Sequence, residues 1–398
     1  MDQQPRAKKT ILFVHPWAGP LGPNAVMEKL ARECLARGHR VVMAIRELDE
    51  CLRQLRDDGV EMHVIPHLEL TGRMGSLWRL ARHLWRSWRA MRQTAELCRQ
   101  VNAEVVCVNS EIMFLMPRVG MRTGRRVVVV VHTARFNALG ALSRIFYGIQ
   151  RRWVWRFVAV SHTVAQVLVK TGVPAEQVEV VYNGVDGQKY QPGPRRPELR
   201  RQLGVPADAP LFGDVSHVVP RKGAHHLVEV LARVRQVIPA ACCLIVGDIE
   251  KYTDHEYVRK LTQRAEELGI ADGLILTGNR TDIPDVLREM DLMVHASQTE
   301  AFGLVIAEAM ATGLPIVGFD VEAVGELIED GRTGRLVRPL DETAMAKATL
   351  DLLQDPELRR QMGRAGRAKA LRDFDQARNA GLLIDLLEQA CVAGVWST

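Results

Sequence analysis

Short apolar runs alternate along the chain with longer segments in which apolar positions recur three and four apart. This is the pattern of buried parallel strands covered by helices on both faces. In the first half the runs Thr10–His15, Arg40–Ile45, Glu61–Ile65, Val105–Asn109, Arg126–His132, Phe157–Ser161 and Val178–Tyr182 predict strands. In the second half Leu211–Val215, Cys242–Val246, Leu274–Thr277, Leu292–His295 and Ile316–Gly318 do the same, so each half predicts its own Rossmann-type α/β unit. Thr343–Leu353, Pro356–Leu371 and Asp375–Ala390 read as successive helices with no strand between them.

Between the halves, Gly184 to Pro206 holds Gly187, Pro192, Gly193, Pro194, Pro197 and Pro206 around one short charged helix, which reads as a hinge. The expected division is 1–188, a linker at 189–206, a second domain at 207–375, and a final helix at 376–398 that can cross back to the first domain. A chain of 398 residues with 47% hydrophobic and 25% charged positions has the material for two cores, and is not disordered, collagenous or a disulfide scaffold. Its seven cysteines are scattered and never spaced C-x-x-C, which points to a reducing compartment. The basic N-terminus is followed by too short an apolar run for a signal sequence, and no stretch approaches the roughly 18 apolar residues of a membrane span, so a cytoplasmic location is expected.

Charge changes this picture. Residues 1–180 carry a net charge of +12 and residues 181–398 a net of −6, and 71–160 alone carry +13, nearly all from arginine. Such asymmetry calls for an anionic partner: nucleic acid, an anionic membrane surface or an acidic substrate. From Leu77 to Arg92, Leu77, Trp78, Ala81, Leu84, Trp85, Trp88 and Met91 recur at helical spacing, with Arg79, Arg82, His83, Arg86, Arg89 and Arg92 largely between them. Amphipathic helices of α/β domains usually pack on their sheet, and that is the expectation for the tryptophan stripe. The arginine face instead suits an anionic interface, which makes Trp78, Arg79, Arg82, Trp85, Arg86, Trp88 and Arg89 a candidate membrane or acceptor surface. The segment Arg144 to Arg156, with Phe146, Tyr147, Trp153 and Trp155, repeats the theme.

No P-loop, dinucleotide, nucleophile-elbow or zincin motif is present. The one D-x-D, Asp373-Phe374-Asp375, lies between helices, where Asp375 is better placed as an N-cap than as a metal ligand. His225 and His226 are adjacent on a helix and point to different sides, so no metal site is expected there.

The segment from Ala296 to Pro315 does carry chemistry. It follows the strand ending at His295, turns at Gly303, and continues as a helix that stops at Gly313. Such a turn presents the free N–H groups of residues 302–305 at the carboxyl edge of the sheet, a ready anion site, and Gly303 lets a phosphate come close. Glu300 and Glu308 flank it as acceptors for sugar hydroxyls, and an anion with hydroxyls describes a nucleotide sugar.

The spacing Glu300-x7-Glu308 around Phe302-Gly303-Leu304 resembles the signature of retaining glycosyltransferases of family 4. Val215 to Gly223 is similar to that family's phosphate loop, Asn183-Gly184-Val185-Asp186 to its end-of-domain turn, Gly331-x-x-Gly334-x-Leu336-Val337 to its C-terminal segment, and Gly19 to Gly22 to its glycine-rich loop. The resemblance implies the GT-B fold, two Rossmann-like parallel-sheet domains facing across a deep cleft. It implies that Glu308 binds the ribose, that Glu300 binds a hydroxyl of the transferred sugar, and that Lys222 and Arg221 neutralise the diphosphate. His132 would lie near the donor sugar, and Phe302, Gly303, Leu304, Val305 and Arg280 would complete the donor contacts. Two departures stand out: Ser216-His217 where relatives carry Gly-Arg, and Glu322-Ala323 where they often carry two glycines.

Implied with the resemblance is transfer of a sugar from a nucleotide diphosphate to an acceptor hydroxyl with retention, without metal or cofactor, by a same-face mechanism in which the leaving phosphate assists the incoming hydroxyl. A basic first domain would take a glycan or lipid-linked acceptor, as in envelope polysaccharide or lipopolysaccharide synthesis, at the cytoplasmic face of an inner membrane, and nucleic acid is not expected. Two alternatives stay open: a sugar-nucleotide epimerase on the same fold, and a non-catalytic sugar-nucleotide-binding subunit.

Overall fold

The computed structural model describes residues 7–16, 22–48, 50–65, 77–133, 141–249 and 255–392. The chain divides into two compact units, Met1–Gly184 with Gln376–Thr398, and Val185–Asp375.

The first unit is built on strands β1 (Thr10–His15), β2 (Arg40–Ile45), β3 (Glu61–Val64), β4 (Val105–Val108), β5 (Arg126–Val131), β6 (Arg156–Ala159) and β7 (Val178–Val180). Between them run α1 (Gly22–Ala36), α2 (Glu50–Asp57), α3 (Leu77–Gln100), α4 (Arg118–Thr123), α5 (Ala141–Gln150) and α6 (His162–Lys170). The strands form one sheet in the order β3-β2-β1-β4-β5-β6-β7, parallel throughout. Every residue of β4, and all but the first of β1, β2 and β5, is buried, which explains their unbroken apolar runs. The strand order reverses between β1 and β4, so their carboxyl ends flank the crevice in which doubly wound sheets bind ligands.

The second unit contains α7 (Pro197–Gln202), β8 (Leu211–Val215), α8 (Ala224–Arg235), β9 (Cys242–Val246), α9 (His255–Glu267), β10 (Leu274–Leu276), α10 (Ile283–Glu289), β11 (Leu292–His295), α11 (Leu304–Thr312), β12 (Ile316–Phe319), α12 (Val324–Leu327), β13 (Gly334–Val337), α13 (Glu342–Gln354) and α14 (Pro356–Asp373). Its sheet, β10-β9-β8-β11-β12-β13, is also parallel and reverses between β8 and β11. The sequence pattern does not announce β13. This four-residue strand can sit beside β12 because Gly334 has no Cβ to strike the Ile316 carbonyl. Asp341 and Asp355 cap α13 and α14 through the N–H groups of Ala344, at 2.9 Å, and of Glu357 and Leu358, at 3.1 and 2.9 Å.

The final helix, α15 (Gln376–Val392), belongs to the first unit. Arg37 pairs with its Asp385 at 2.7 Å and His39 Nε2 lies 3.0 Å from Glu388. Residues 189–206, which composition reads as a linker, are packed into the second unit. Tyr190, Leu199 and Arg200 are buried there, and Arg200 donates to the carbonyls of Pro206 at 2.9 Å, of Glu289 at 3.1 Å and of Ala209. Arg195 and Arg196 pair with Asp291 and Asp285 at 2.8 and 2.6 Å. Proline and glycine here shape a fixed path, and the arginines anchor it.

Candidate functional site

At the second unit's switch point, the loop after β8 carries Ser216, His217, Arg221 and Lys222, and the loop after β11 carries Ser297 to Gly303. Gln298 N donates to the Arg221 carbonyl at 2.9 Å, tying the two loops together. Gly223 has φ +78°, and a Cβ on it would run into the Ala296 carbonyl, so the close approach depends on glycine.

This approach brings Lys222 Nζ onto Glu300 Oε2 in an ion pair that is mostly shielded from solvent. Behind it, His295 ends β11 fully buried, with Nε2 at 3.4 Å from the same Glu300 oxygen and Nδ1 at 3.0 Å from Asp214 Oδ1. Ser216 Oγ donates to the other Asp214 oxygen at 2.7 Å. Burial works against each charge here, yet the two carboxylates and two cations sustain one another. His295 is pushed up to about 9, chiefly by Asp214, and Glu300 is held down to about 2 by the neighbouring His295 imidazole and the charge of Lys222. Asp214 is likewise held below its ordinary value by His295 and Ser216.

Gly303, at φ +98°, is the N-cap of α11, and Gly313, at φ +87°, closes it. Leu304 and Val305 in the first turn are half-buried beside the helix N-terminus. The Phe302 side chain is buried edge-on against Phe374, with ring centroids 5.5 Å apart. Glu308 accepts the hydroxyl of the buried Tyr190, whose own ionisation is pushed up by burial and by that carboxylate. Arg280 is held by Asp282 through two hydrogen bonds of 2.8 and 2.6 Å, so its charge is answered locally. His217 is half-buried, and burial with the neighbouring Arg221 and Lys222 shifts its imidazole below the ordinary value. Asp373 is engaged by Arg372 and Lys369, and His226 Nδ1 lies 2.8 Å from Glu342.

In the first unit, polar side chains gather at the carboxyl ends of β1, β4 and β5. His132 Nε2 donates to Asn109 Oδ1 at 2.8 Å, Asn109 Nδ2 donates to His15 Nδ1 at 2.9 Å, and His15 Nε2 donates to Asn24 Oδ1 at 2.8 Å, an orientation that fixes His15 as its neutral Nε2–H tautomer and His132 Nε2 as a donor. Burial and the neighbouring His15 pull His132 down to about 3. Its backbone N–H donates at 3.2 Å to the fully buried Glu111, which burial pushes up to about 7. Of the glycine-rich loop, Gly19 lies outside the described residues, and Gly22 opens α1.

On α3, the C-terminal half supplies the packed face through Ala90, Met91, Ala95 and Cys98. Contrary to the expectation that the tryptophan stripe packs on the sheet, Trp85 and Trp88 are 54% and 41% exposed, with the Arg89 and Arg92 guanidinium groups over their rings at 5.5 and 4.8 Å. Arg82, Arg86 and Arg89 are exposed beside them, while the side chains of Trp78 and Arg79 lie outside the described residues. The second aromatic cluster has a structural use instead. Phe146 packs tilted and Trp153 edge-on against Phe114, Tyr147 is buried, and the Arg126 and Arg156 guanidinium groups lie 4.8 and 4.7 Å from the Trp155 ring centre.

Sequence reasoning missed Asp214, His295, Tyr190, His15, Asn24, Asn109 and Glu111. For Asp214, His295, His15 and Asn109 the available signal was a charged or polar residue in or directly after an otherwise apolar buried strand, which is unusual without a partner; Tyr190, Asn24 and Glu111 lie outside such strands and carried no such signal.

Residues 22–189 match the family described as Glycosyltransferase Family 4, and residues 195–369 the one described as Glycosyl transferases group 1. The chain is similar to N-acetyl-alpha-D-glucosaminyl L-malate synthase of Bacillus anthracis, 28% identical over 253 residues, which span 63% of this chain and 64% of that protein. It is also similar to the GDP-mannose-dependent alpha-(1-6)-phosphatidylinositol monomannoside mannosyltransferase of Mycolicibacterium smegmatis, 30% identical over 224 residues, 54% of this chain and 57% of that one. The chain thus spans less than two thirds of the length of either relative. In structure it is similar to Anabaena HepE in complex with UDP-glucose, with a TM-score of 0.81 at 23% identity over 96% of this chain and 99% of that one. Two parallel Rossmann-like units and these matches define a protein of the GT-B fold. The chain belongs to glycosyltransferase family 4.

Proposed function

We propose that this protein transfers a sugar from a nucleotide diphosphate sugar to an acceptor hydroxyl, with retention at the anomeric carbon. The observation that carries the reading is the convergence of Lys222, Glu300 and the α11 N-terminus at the switch point of the second sheet. Lys222, Arg221 and the α11 amides would hold the diphosphate and stabilise its charge as it departs. Glu308, steadied by Tyr190, would take the ribose hydroxyls, and Glu300 a sugar hydroxyl. Protein cations and amides supply this stabilisation in the proposal, which therefore assigns no step to a metal.

Acceptor binding is assigned to the first unit, where His132, whose ionisation is pulled down to about 3, would offer Nδ1 as an acceptor for a hydroxyl. A lipid-linked or cell-envelope acceptor fits the net positive charge of residues 71–160 and the exposed tryptophans of α3, and the mycobacterial relative is itself named for a phosphatidylinositol mannoside acceptor. No described helix is long and apolar enough to cross a membrane, so contact would be peripheral, at the surface.

The test is thermal shift of the purified protein against UDP, GDP, ADP and their sugars, repeated in Glu308→Ala. A selective shift that disappears in the variant is the expected result. No shift with any of them would overturn the donor site. Donor binding with no transfer to any acceptor would favour a binding subunit, and an altered sugar nucleotide formed without acceptor would indicate an epimerase.

A further inference from the structure

Asp214 and His295 have no role in the reading above, and Ser216 stands where the resemblance leads one to expect glycine. The structure joins all three to the donor site: Ser216 Oγ to Asp214 Oδ2 at 2.7 Å, Asp214 Oδ1 to His295 Nδ1 at 3.0 Å, and His295 Nε2 to Glu300 Oε2 at 3.4 Å. The last oxygen is the one that Lys222 holds, so a single carboxylate oxygen faces two cations.

We infer that His295, braced by Asp214 and Ser216, is a positioning residue of the donor site, holding the Glu300 carboxylate in place when Lys222 leaves it for the diphosphate. The inference rests on the donor reading of this site. Lys222 cannot serve a carboxylate and a diphosphate fully at once. If it turned to the donor with no second cation behind it, Glu300 would be left as a largely buried, unpaired charge, and the donor would bind more weakly by that penalty. His295 removes the penalty because it approaches Glu300 from the protein side, where a donor does not compete. Asp214 fixes the ring through Nδ1 so that Nε2 faces Glu300, and the Ser216 hydroxyl occupies the remaining Asp214 oxygen. The serine that departs from the family pattern is then part of the brace.

Titration calorimetry with UDP, GDP and ADP on the wild type, His295→Gln, Asp214→Asn and Ser216→Ala tests this, together with the ¹⁵N spectrum of labelled histidine in the wild type. For whichever diphosphate the wild type binds, His295→Gln and Asp214→Asn are expected to weaken affinity roughly tenfold or more, as loss of the charged partner of a buried carboxylate does, and Ser216→Ala to weaken it less. The His295 ring is expected to carry protons on both nitrogens at pH 7.5, with and without diphosphate. A folded His295→Gln protein with wild-type affinity overturns the inference and leaves the donor reading intact. If that variant does not fold, the spectrum decides: a neutral His295 ring overturns the inference, and an imidazolium that persists in the diphosphate complex supports it. A wild type that binds none of the three overturns both.

Discussion

Glu322 accepts the backbone N–H of Glu300 at 2.6 Å from a residue whose own φ is +42°. That conformation favours glycine, the residue expected here from the family pattern, so this chain accepts backbone strain and gains a carboxylate that pins the Glu300 loop. The Glu300 carbonyl in turn accepts from Ala323 N at 3.1 Å, so the two loops are joined twice.

Glu322→Gly removes the acceptor and relieves the strain, whereas Glu322→Ala removes the acceptor and keeps the strain. The glycine variant should therefore be the more stable of the two by about 1 kcal/mol, and both should bind donor more weakly than wild type. Urea unfolding of the three proteins checks the order. An alanine variant as stable as the glycine variant would mean that the positive φ costs nothing.

The buried ion cluster sets a pH dependence of stability. An imidazole raised to about 9 from an ordinary 6.5 contributes in full below pH 6.5 and loses its contribution as pH rises through 9. A carboxylate held down to about 2 from 4.5 contributes above pH 4.5 and loses it as pH falls through 2. Stability should thus decline between pH 6.5 and 9.5 by roughly 3 kcal/mol from His295 alone. His295→Asn should be less stable at pH 6 and should lack that part of the decline. Parallel curves of thermal midpoint against pH in the two proteins would contradict it.

Glu111 adds a decline at lower pH, as a cost of burial and not as a lost contribution. Its carboxyl, pushed up to about 7 by burial, binds its proton more tightly folded than unfolded, so it detracts from stability increasingly as pH rises from 4.5 to 7. Glu111→Gln keeps an oxygen to accept the His132 N–H and removes the ionisation. The variant should gain on wild type at pH 8 relative to pH 5, a difference that melting curves at the two values will show.

Tyr190 and Glu308 bear on donor affinity. Removing the hydroxyl in Tyr190→Phe leaves the ring packing intact and takes one donor from Glu308, which should lower stability by about 1 kcal/mol and weaken nucleotide binding severalfold. Unchanged calorimetric affinity in a folded variant would show that the Tyr190 hydroxyl does not steady Glu308 for the nucleotide.

The sheets were legible in the sequence because strands such as Val127–Val131, buried on both faces, can be written only in apolar residues. The turns at Gly303 and Gly313 were legible because positive φ selects glycine. The Asp214–His295 pair was not, since neither residue has meaning until strand order sets β8 beside β11. The same holds for His15 and Asn109, which are 94 residues apart in the chain and hydrogen-bonded in the fold. On α3 the periodicity identified the apolar stripe, but periodicity cannot report whether anything covers it. The packed half begins at Ala90, and Trp85 and Trp88 lie before it.

Those two tryptophans therefore invite a partner. With exposed Arg82, Arg86 and Arg89 around them and Leu84 exposed on the same helix, they form the amphipathic face that suits an anionic lipid interface, in which indoles enter the headgroup region and guanidinium groups meet phosphate. The protein should cosediment with vesicles containing phosphatidylglycerol and not with pure phosphatidylcholine. Binding should weaken steeply as salt is raised toward about 0.5 M, because arginine–phosphate attraction at a surface is screened there. Trp85→Ala with Trp88→Ala should reduce binding at low salt by roughly tenfold or more while leaving the thermal midpoint nearly unchanged, since neither ring is in the core. If the double variant binds as wild type does, the face serves another purpose; if its midpoint falls by many degrees, the rings are structural after all.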